Sequence, residues 1–165
     1  MSEENIERKS RFISRFGEVG RAIVIRLKTG SDLLLELSEF FEQTGIRAGV
    51  ILSGVGLLSR AKLRNCRSLP EEFPITDKNR SFNSFNSPLE ILSMSGNISM
   101  VEESALLHSH LTLSYVDDGK IRVVGGHLIE GCIVHGFAEI IVLELNAIEM
   151  IKAYDEETKT YQLFS

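Results

Sequence analysis

The second half of this chain is a succession of strand-like segments separated by turns, and this pattern limits the folds open to it. Alternating or β-branched residues dominate five segments: LEILSMSGNISMV (89–101), ALLHSHLTLSYV (105–116), KIRVVGGHL (120–128), AEIIVLELN (138–146) and IEMIKAYD (148–155). Because the connections between them are too short for crossover helices, consecutive strands are expected to pair antiparallel. The pattern predicts a large, mostly antiparallel sheet.

One helix interrupts the β pattern in the first half, in the segment SDLLLELSEFFEQTG (31–45). Its apolar residues recur at helical spacing, and Ser31 or Asp32 can accept the free N–H groups of the first turn. Gly45 suits the left-handed position that ends many helices. The segment therefore predicts a helix that packs one face on the sheet.

The remaining segments of the first half predict strands and one long loop. GRAIVIRLKTG (20–30) is typical of a strand, and RAGVILSGVGLLSRAKLRN (47–65) is interpreted as two strands that meet near Gly54 and Gly56. All three prolines lie in the Asn- and Ser-rich segment 66–88, which indicates a loop excursion from the sheet.

The length and the charge of the chain restrict its class. A chain of 165 residues suits one domain, so residues 1–165 are expected to form a single α+β domain. The net charge is −5, with an excess of positive charge before residue 80 and of negative charge after it, so a uniformly basic nucleic-acid surface is excluded. No apolar run is long enough to cross a membrane, and the polar start does not resemble a signal peptide, so we expect a cytoplasmic protein with free cysteines.

Three of the four histidines lie within LLHSHLTLSYVDDGKIRVVGGHL (106–128). His108 and His110 share the polar face of one strand, because side chains alternate across a strand. Asp118–Gly119 favours a tight hairpin turn, and a two- or four-residue loop places His110 directly opposite His127. A three-residue loop with a glycine bulge would instead turn His127 to the other face.

If the rings converge, their chemistry indicates a metal. Neutral imidazole is a favoured ligand of Zn²⁺, and three histidines without a fourth protein ligand leave one coordination position for water. The alternative is that the histidines are ordinary polar residues of a strand face.

Several of these segments resemble one known family. PLEILSMSGNIS (88–99), LHSHLTLS (107–114), VVGGHLIEGCIV (123–134), LKTGSDLLLEL (27–37) and AEIIVLEL (138–145) resemble the plants-and-prokaryotes-conserved (PPC) domain in its stand-alone prokaryotic form. The resemblance implies an α+β domain with about seven strands, assembled as a homotrimer. It also implies that His108, His110 and His127 ligate zinc, and it leaves His135 with a structural role.

The resemblance carries the family label "predicted DNA-binding protein" and leaves the function open between three classes. A regulatory or DNA-linked role would use the basic row Arg60, Lys62 and Arg64, although the chain lacks the Arg-Gly-Arg-Pro AT-hook of plant members. A zinc-dependent hydrolase or lyase would use the metal-bound water with a general base such as Glu90, Glu130 or Glu139. No catalytic nucleophile motif or phosphate-binding loop is present. The third class is a structural oligomer without metal.

Overall fold

The computed structural model describes residues 12–164 and has one helix and nine strands. The elements are β1 (Glu18–Lys28), α1 (Leu33–Thr44), β2 (Gly49–Cys66), β3 (Arg80–Phe85), β4 (Leu89–Val101), β5 (Ser104–Asp117), β6 (Lys120–Leu128), β7 (Ile133–Asn146), β8 (Ile151–Asp155) and β9 (Thr160–Leu163), with a short 3₁₀ turn at Asp77–Asn79. The predicted α+β class, with one main helix and a large antiparallel sheet, is confirmed.

The strands form one sheet in the order β1-β7-β2-β6-β5-β4-β8-β9, and β3 pairs with β2. Every pairing is antiparallel except the short one between β4 and β8. An additional pairing of β2 with β4 closes the strands β2, β6, β5 and β4 into a ring. Closure matters for the site described below, because it fixes β5 and β6 against β2.

Helix α1 begins and ends where its sequence predicts. The Asp32 side chain accepts hydrogen bonds from the backbone N–H groups of Leu34 and Leu35, and Gly45 adopts the left-handed conformation with φ 67°. The face that carries Leu33, Leu37 and Phe41 is fully buried against the sheet. Within the described residues, no helix is long and apolar enough to cross a membrane.

Strand β2 differs from its prediction as two strands, because it runs unbroken for 18 residues. The two glycines mark close approaches rather than a turn. A β-carbon on Gly54 would lie 2.6 Å from the Cβ of Met94, and one on Gly56 would lie 2.6 Å from the carbonyl oxygen of Phe137. The glycine pair, predicted to mark a bend between two strands, instead marks close packing of β2 against its neighbours.

The segment 66–88, predicted as a loop excursion, returns to the sheet before it ends. Strand β3 pairs with the second half of β2, with Arg64 opposite Phe82 and Cys66 opposite Arg80. Its sequence RSFNSF is polar because the strand lies at an edge of the sheet and is largely exposed. Composition alone does not separate such an edge strand from a loop.

Candidate metal centre

Strands β5 and β6 bring the three histidines together, as the hairpin turn predicts. Asp117 pairs with Lys120, so His110 lies directly opposite His127, and the register that favours convergence is confirmed. The donor nitrogens of His108, His110 and His127 all lie within 4.8 Å of one another. Their ring centroids are 5.0–5.4 Å apart. The three rings therefore surround one common point on the outward face of the sheet.

The alternation of β5 explains why this face is polar. Leu107, Ser109 and Leu111 point into the core and are buried, which turns His108 and His110 to the other side. Ser109 satisfies its hydroxyl inside the core by donating to the carbonyl oxygen of Ser95, at 2.9 Å. The apolar row of β5 thus fixes the direction of both histidines.

Two glycines of β6, Gly125 and Gly126, contact β2 beside His127. The Asn65 amide nitrogen donates to the carbonyl oxygen of Gly125 at 2.8 Å, which ties β6 to β2 next to the His127–Arg64 pair. A β-carbon on Gly126 would lie only 2.5 Å from the Asn65 amide oxygen and 3.1 Å from the Arg64 carbonyl oxygen. Gly126 therefore provides the space in which Asn65 crosses the strand beside the site.

The local environment keeps two of the imidazoles neutral. Burial, followed by the positive charge of Arg64, lowers the pKa of His127 to about 4. Burial, followed by the charge of Lys152, lowers the pKa of His108. Both rings are half-buried, while His110 is exposed. A histidine must be neutral to ligate a metal, so the lowered pKa values favour the form of His108 and His127 that can coordinate one.

The histidines line a cavity of about 580 Å³. Three cationic side chains from different elements line the same cavity: Arg64 of β2, Arg80 of β3 and Lys152 of β8. The β8–β9 hairpin covers one side of it with Thr158, Thr160, Tyr161 and Gln162. The cluster therefore lies inside a recess that has room for a further molecule.

The donor set fits a zinc ion. Two nitrogens on one tetrahedral Zn²⁺, at about 2.0–2.1 Å from the ion, lie about 3.3 Å apart. Side chains whose nitrogens already lie within 4.8 Å reach that distance by small rotations. Beside them, Asn97 pairs with His108 across β4 and β5, and its buried side-chain oxygen has no hydrogen-bond partner within the described residues. This orphan acceptor is suited to receive an imidazole N–H whose other ring nitrogen binds the metal.

The three basic residues Arg60, Lys62 and Arg64 lie on one face of β2 but do not all reach the histidine cavity. Arg60, Lys62 and Arg64 share the outward face of β2, because Ala61 and Leu63 between them are buried. Only Arg64 lines the histidine cavity. The other two are exposed, with Arg60 opposite Ile133 in the pairing of β2 and β7.

The proposed general bases do not reach the centre. Glu90, Glu130 and Glu139 are exposed, and none of them lines the cavity of the histidines. His135 is exposed as well and lies outside the cluster.

Sequence reasoning missed Arg80, Lys152 and Asn97 as residues of the site. Each lies on a strand whose position at the site depends on residues distant in sequence. Lys152, for example, is positioned by the parallel pairing of Met100 with Ile151, which no local sequence pattern indicates. The alternation in IEMIKAYD indicates which face of its strand Lys152 occupies, but it does not indicate which strand lies beside it.

Comparison with known proteins identifies related sequences and structures. Residues 14–146 match the family model of the Plants and Prokaryotes Conserved (PCC) domain, also abbreviated PPC. Among solved structures, a metal-containing protein from Archaeoglobus fulgidus is 31% identical and superposes with a TM-score of 0.74, covering 93% of this chain and 100% of that one. A PPC protein from Pyrococcus horikoshii is 24% identical, with a TM-score of 0.73 and coverage of 93% and 99%.

Two further comparisons give one more solved structure and one curated protein. A structure from Bacteroides thetaiotaomicron described as a "putative DNA binding protein" has 22% identity and a TM-score of 0.70, covers 90% of this chain and 97% of that one, and shares the fold. Among curated proteins, the bifunctional protein GlmU of a Synechococcus strain is 35% identical over 124 residues. The match takes in 75% of this chain and 17% of that protein, so the chain spans about a sixth of the length of this curated relative.

Proposed function

Since this chain belongs to the Plants and Prokaryotes Conserved (PCC) domain family, we propose that it is a zinc-binding member in which His108, His110 and His127 hold the ion. The observation that carries the proposal is the convergence of three imidazole donors within 4.8 Å at the base of a cavity. The description of the Archaeoglobus fulgidus relative as metal-containing supports it. Zinc held by three histidines keeps one coordination position open and acts there as a Lewis acid.

Metal analysis of the purified protein tests the proposal. We expect about one zinc per chain in protein prepared without added metal, and the same content in the matched control His135→Ala, whose histidine lies outside the cluster. The variant His110→Ala should lose most of the zinc while keeping its fold, because this side chain is exposed and its ring lies beside the other two histidines. Zinc-free wild-type protein, or equal zinc in His110→Ala, would contradict the assignment.

The cavity favours binding of a ligand over hydrolysis. Hydrolysis by a metal-bound water is assisted by a nearby general base, which in such sites is commonly a carboxylate. Within residues 12–164, no aspartate or glutamate lines the cavity, and its charged residues are cations. A zinc-dependent hydrolase or lyase would therefore lack a carboxylate general base among the described residues, whereas the cations that would hold an anionic ligand line the cavity.

Direct contact with DNA is a second candidate function, favoured by the exposed row of Arg60 and Lys62 beside Arg64. The net charge of −5 restricts such contact to this face. Binding to random-sequence duplex DNA should weaken steeply with salt, and Lys62→Met should reduce the slope of log affinity against log salt by about one unit. Absence of salt-dependent binding at low ionic strength would remove this candidate.

We also propose that the protein is a homotrimer, as the family resemblance implies. Large apolar side chains are exposed on three strands of the sheet: Val24 on β1, Leu52 and Val55 on β2, and Leu92 on β4. Strand β7 lies between β1 and β2, and β2 pairs with β4, so these strands belong to one region of the sheet. Val24 is 74% exposed. Sedimentation equilibrium at micromolar concentration should give three times the monomer mass, and Val55→Asp should give monomers. A monomeric wild-type protein would refute the assembly.

A cytoplasmic location is part of the same proposal. Its support is that Cys66 and Cys132 are both free thiols, as is usual in a reducing compartment. Fractionation of cells that express the chain from its native gene tests the location, and recovery outside the cytoplasmic fraction would refute it.

A further inference from the structure

The cavity over the histidines collects positive charge that nothing in its lining balances. Arg64, Arg80 and Lys152 come from three different strands, yet all three line the same recess. No carboxylate lines it within the described part of the chain. In a chain with a net charge of −5, such a concentration of cations in one recess is the opposite of the average surface.

Most of this charge is not used by the fold. Arg80 donates to the Asp77 carboxylate at 3.0 Å, but that carboxylate is exposed and lies outside the cavity. Neither Arg64 nor Lys152 forms an ion pair within residues 12–164. Burial lowers the pKa of Lys152, and burial followed by the charge of Arg80 lowers the pKa of Arg64. Among the described residues, Asp77 is the one carboxylate that acts on Arg80 and Arg64, and it lies outside the cavity. Partly buried like charges that are only partly neutralised are unfavourable, so a ligand that supplies negative charge inside the cavity would be favoured.

Strands β8 and β9 complete the recess with neutral hydrogen-bonding groups. They lie beyond residue 146, where the match to the family model ends. The hairpin contributes Thr158, Thr160 and Tyr161 to the lining, and the two threonine hydroxyl groups lie 3.1 Å apart. None of the hairpin's carboxylates lines the cavity: Asp155 accepts two hydrogen bonds of 2.7 Å from Thr158, and Glu156 contacts Lys159. The hairpin thus adds polar residues and a lysine to the cavity without adding negative charge.

We propose that this cavity binds a small oxyanion, a carboxylate or phosphate compound, whose charged group is held by Arg64, Arg80 and Lys152 next to the three histidines. Guanidinium and ammonium groups are the side chains that bind such anions through charge-assisted hydrogen bonds. The inference rests on the proposed zinc site only in part, because the cations line the cavity whether or not metal is bound. A divalent ion on three neutral imidazoles would add positive charge and strengthen the same preference.

A small molecule fits this recess better than the backbone of a nucleic acid. The phosphates of a DNA duplex are contacted by exposed side chains along an open face. Arg60 and Lys62 are exposed in this way. Lys152 lies within the recess and is only partly exposed, and the hairpin covers one side of the cavity. Its volume of about 580 Å³ lies in the range of small-ligand sites.

Calorimetric titration with inorganic phosphate and with malonate tests the proposal, on the full chain in both zinc-loaded and metal-free forms. We expect saturable binding of at least one of these anions, and a loss of about tenfold to a hundredfold in affinity for Lys152→Met, as for a hydrogen bond to a charged group. The matched control is Lys159→Met in the same hairpin, because Lys159 contacts Glu156 and does not line the cavity. It should bind as the wild type does, and both variants should keep the wild-type thermal transition.

The outcomes separate this proposal from that of the zinc site. Zinc content of about one per chain with no anion binding in either form would overturn the anion site and leave the metal site standing. Anion binding that depends on Lys152 in a protein that takes up no zinc would support the anion site and refute the metal site. Equal weakening by Lys152→Met and Lys159→Met would overturn the anion site. So would a result in which duplex DNA, but neither small anion, binds in a Lys152-dependent manner.

Discussion

Gly126 is the residue whose replacement tests most directly how the site is built. Its φ lies outside the left-handed region, so an alanine there is limited by space and not by backbone strain. The added β-carbon would meet the Asn65 amide oxygen at 2.5 Å and the amide nitrogen at 3.0 Å, which would displace that side chain. The displaced amide would lose its 2.8 Å hydrogen bond to the Gly125 carbonyl oxygen.

The expected cost of Gly126→Ala follows from these contacts. Overpacking costs about 1–3 kcal/mol of the free energy of unfolding, and the lost hydrogen bond costs about 0.5–1.5 kcal/mol. Replacing a strand glycine by alanine returns about 0.5–1 kcal/mol through the unfolded chain. We therefore expect a net loss of about 1–3 kcal/mol. Zinc affinity should fall about tenfold to a hundredfold, as for a disturbed supporting residue beside a ligand.

A double-mutant cycle with Asn65→Ala supplies the control. Asn65→Ala alone should cost about 0.5–1.5 kcal/mol, the value of its hydrogen bond. In that background Gly126→Ala no longer meets the amide, so the double variant should cost less than the sum of the single variants by about 1 kcal/mol. Urea unfolding with a chelator present measures all four proteins without a contribution from metal. If the two single-variant losses of unfolding free energy add to the loss of the double variant within about 0.5 kcal/mol, Gly126 does not provide the space for Asn65.

Three further predictions follow from other parts of the molecule. Removal of zinc by a chelator should lower the midpoint of thermal unfolding by about 5–10 °C if free zinc had been about 100 times its dissociation constant, and differential scanning calorimetry should show no such shift for His110→Ala. One thiol per chain should react with a thiol reagent at pH 8, because Cys66 is exposed while burial raises the pKa of Cys132 to about 11; two reactive thiols in the native protein would contradict the buried position. Asp32→Ala should lower the free energy of unfolding in urea by about 1–2 kcal/mol, because the carboxylate caps α1. The same carboxylate also accepts a hydrogen bond from the backbone N–H of Gly131 at 2.7 Å. Asp32→Asn should cost less, and equal stability of Asp32→Ala and the wild type would refute the dual role.

The parts of the site that could be predicted are those governed by local chemistry. The Asp118–Gly119 turn fixes the register of one hairpin, and that register places His110 opposite His127. The helix was equally predictable, because both of its ends carry side-chain or backbone signals that act within four residues. In both cases the deciding interaction lies close along the chain.

The parts that escaped prediction depend on pairings between distant segments. Gly54 and Gly56 look like a turn until Met94 and Phe137 are known to press against them. Strand β3 looks like a loop because an exposed edge strand needs no apolar face. The charge of the cavity depends on where Arg64, Arg80 and Lys152 meet, and no periodicity in the sequence encodes that meeting.

The long central strand β2 also governs the order in which the molecule can be completed. Its partners β3, β4, β6 and β7 all follow it along the chain, and the last of them ends only at Asn146. During synthesis β2 therefore emerges before any of its partner strands, and its pairing is complete only when Asn146 has left the ribosome. Topologies dominated by such remote pairings fold slowly, in roughly milliseconds to seconds, so nascent chains stalled before β7 are expected to aggregate or to recruit chaperones.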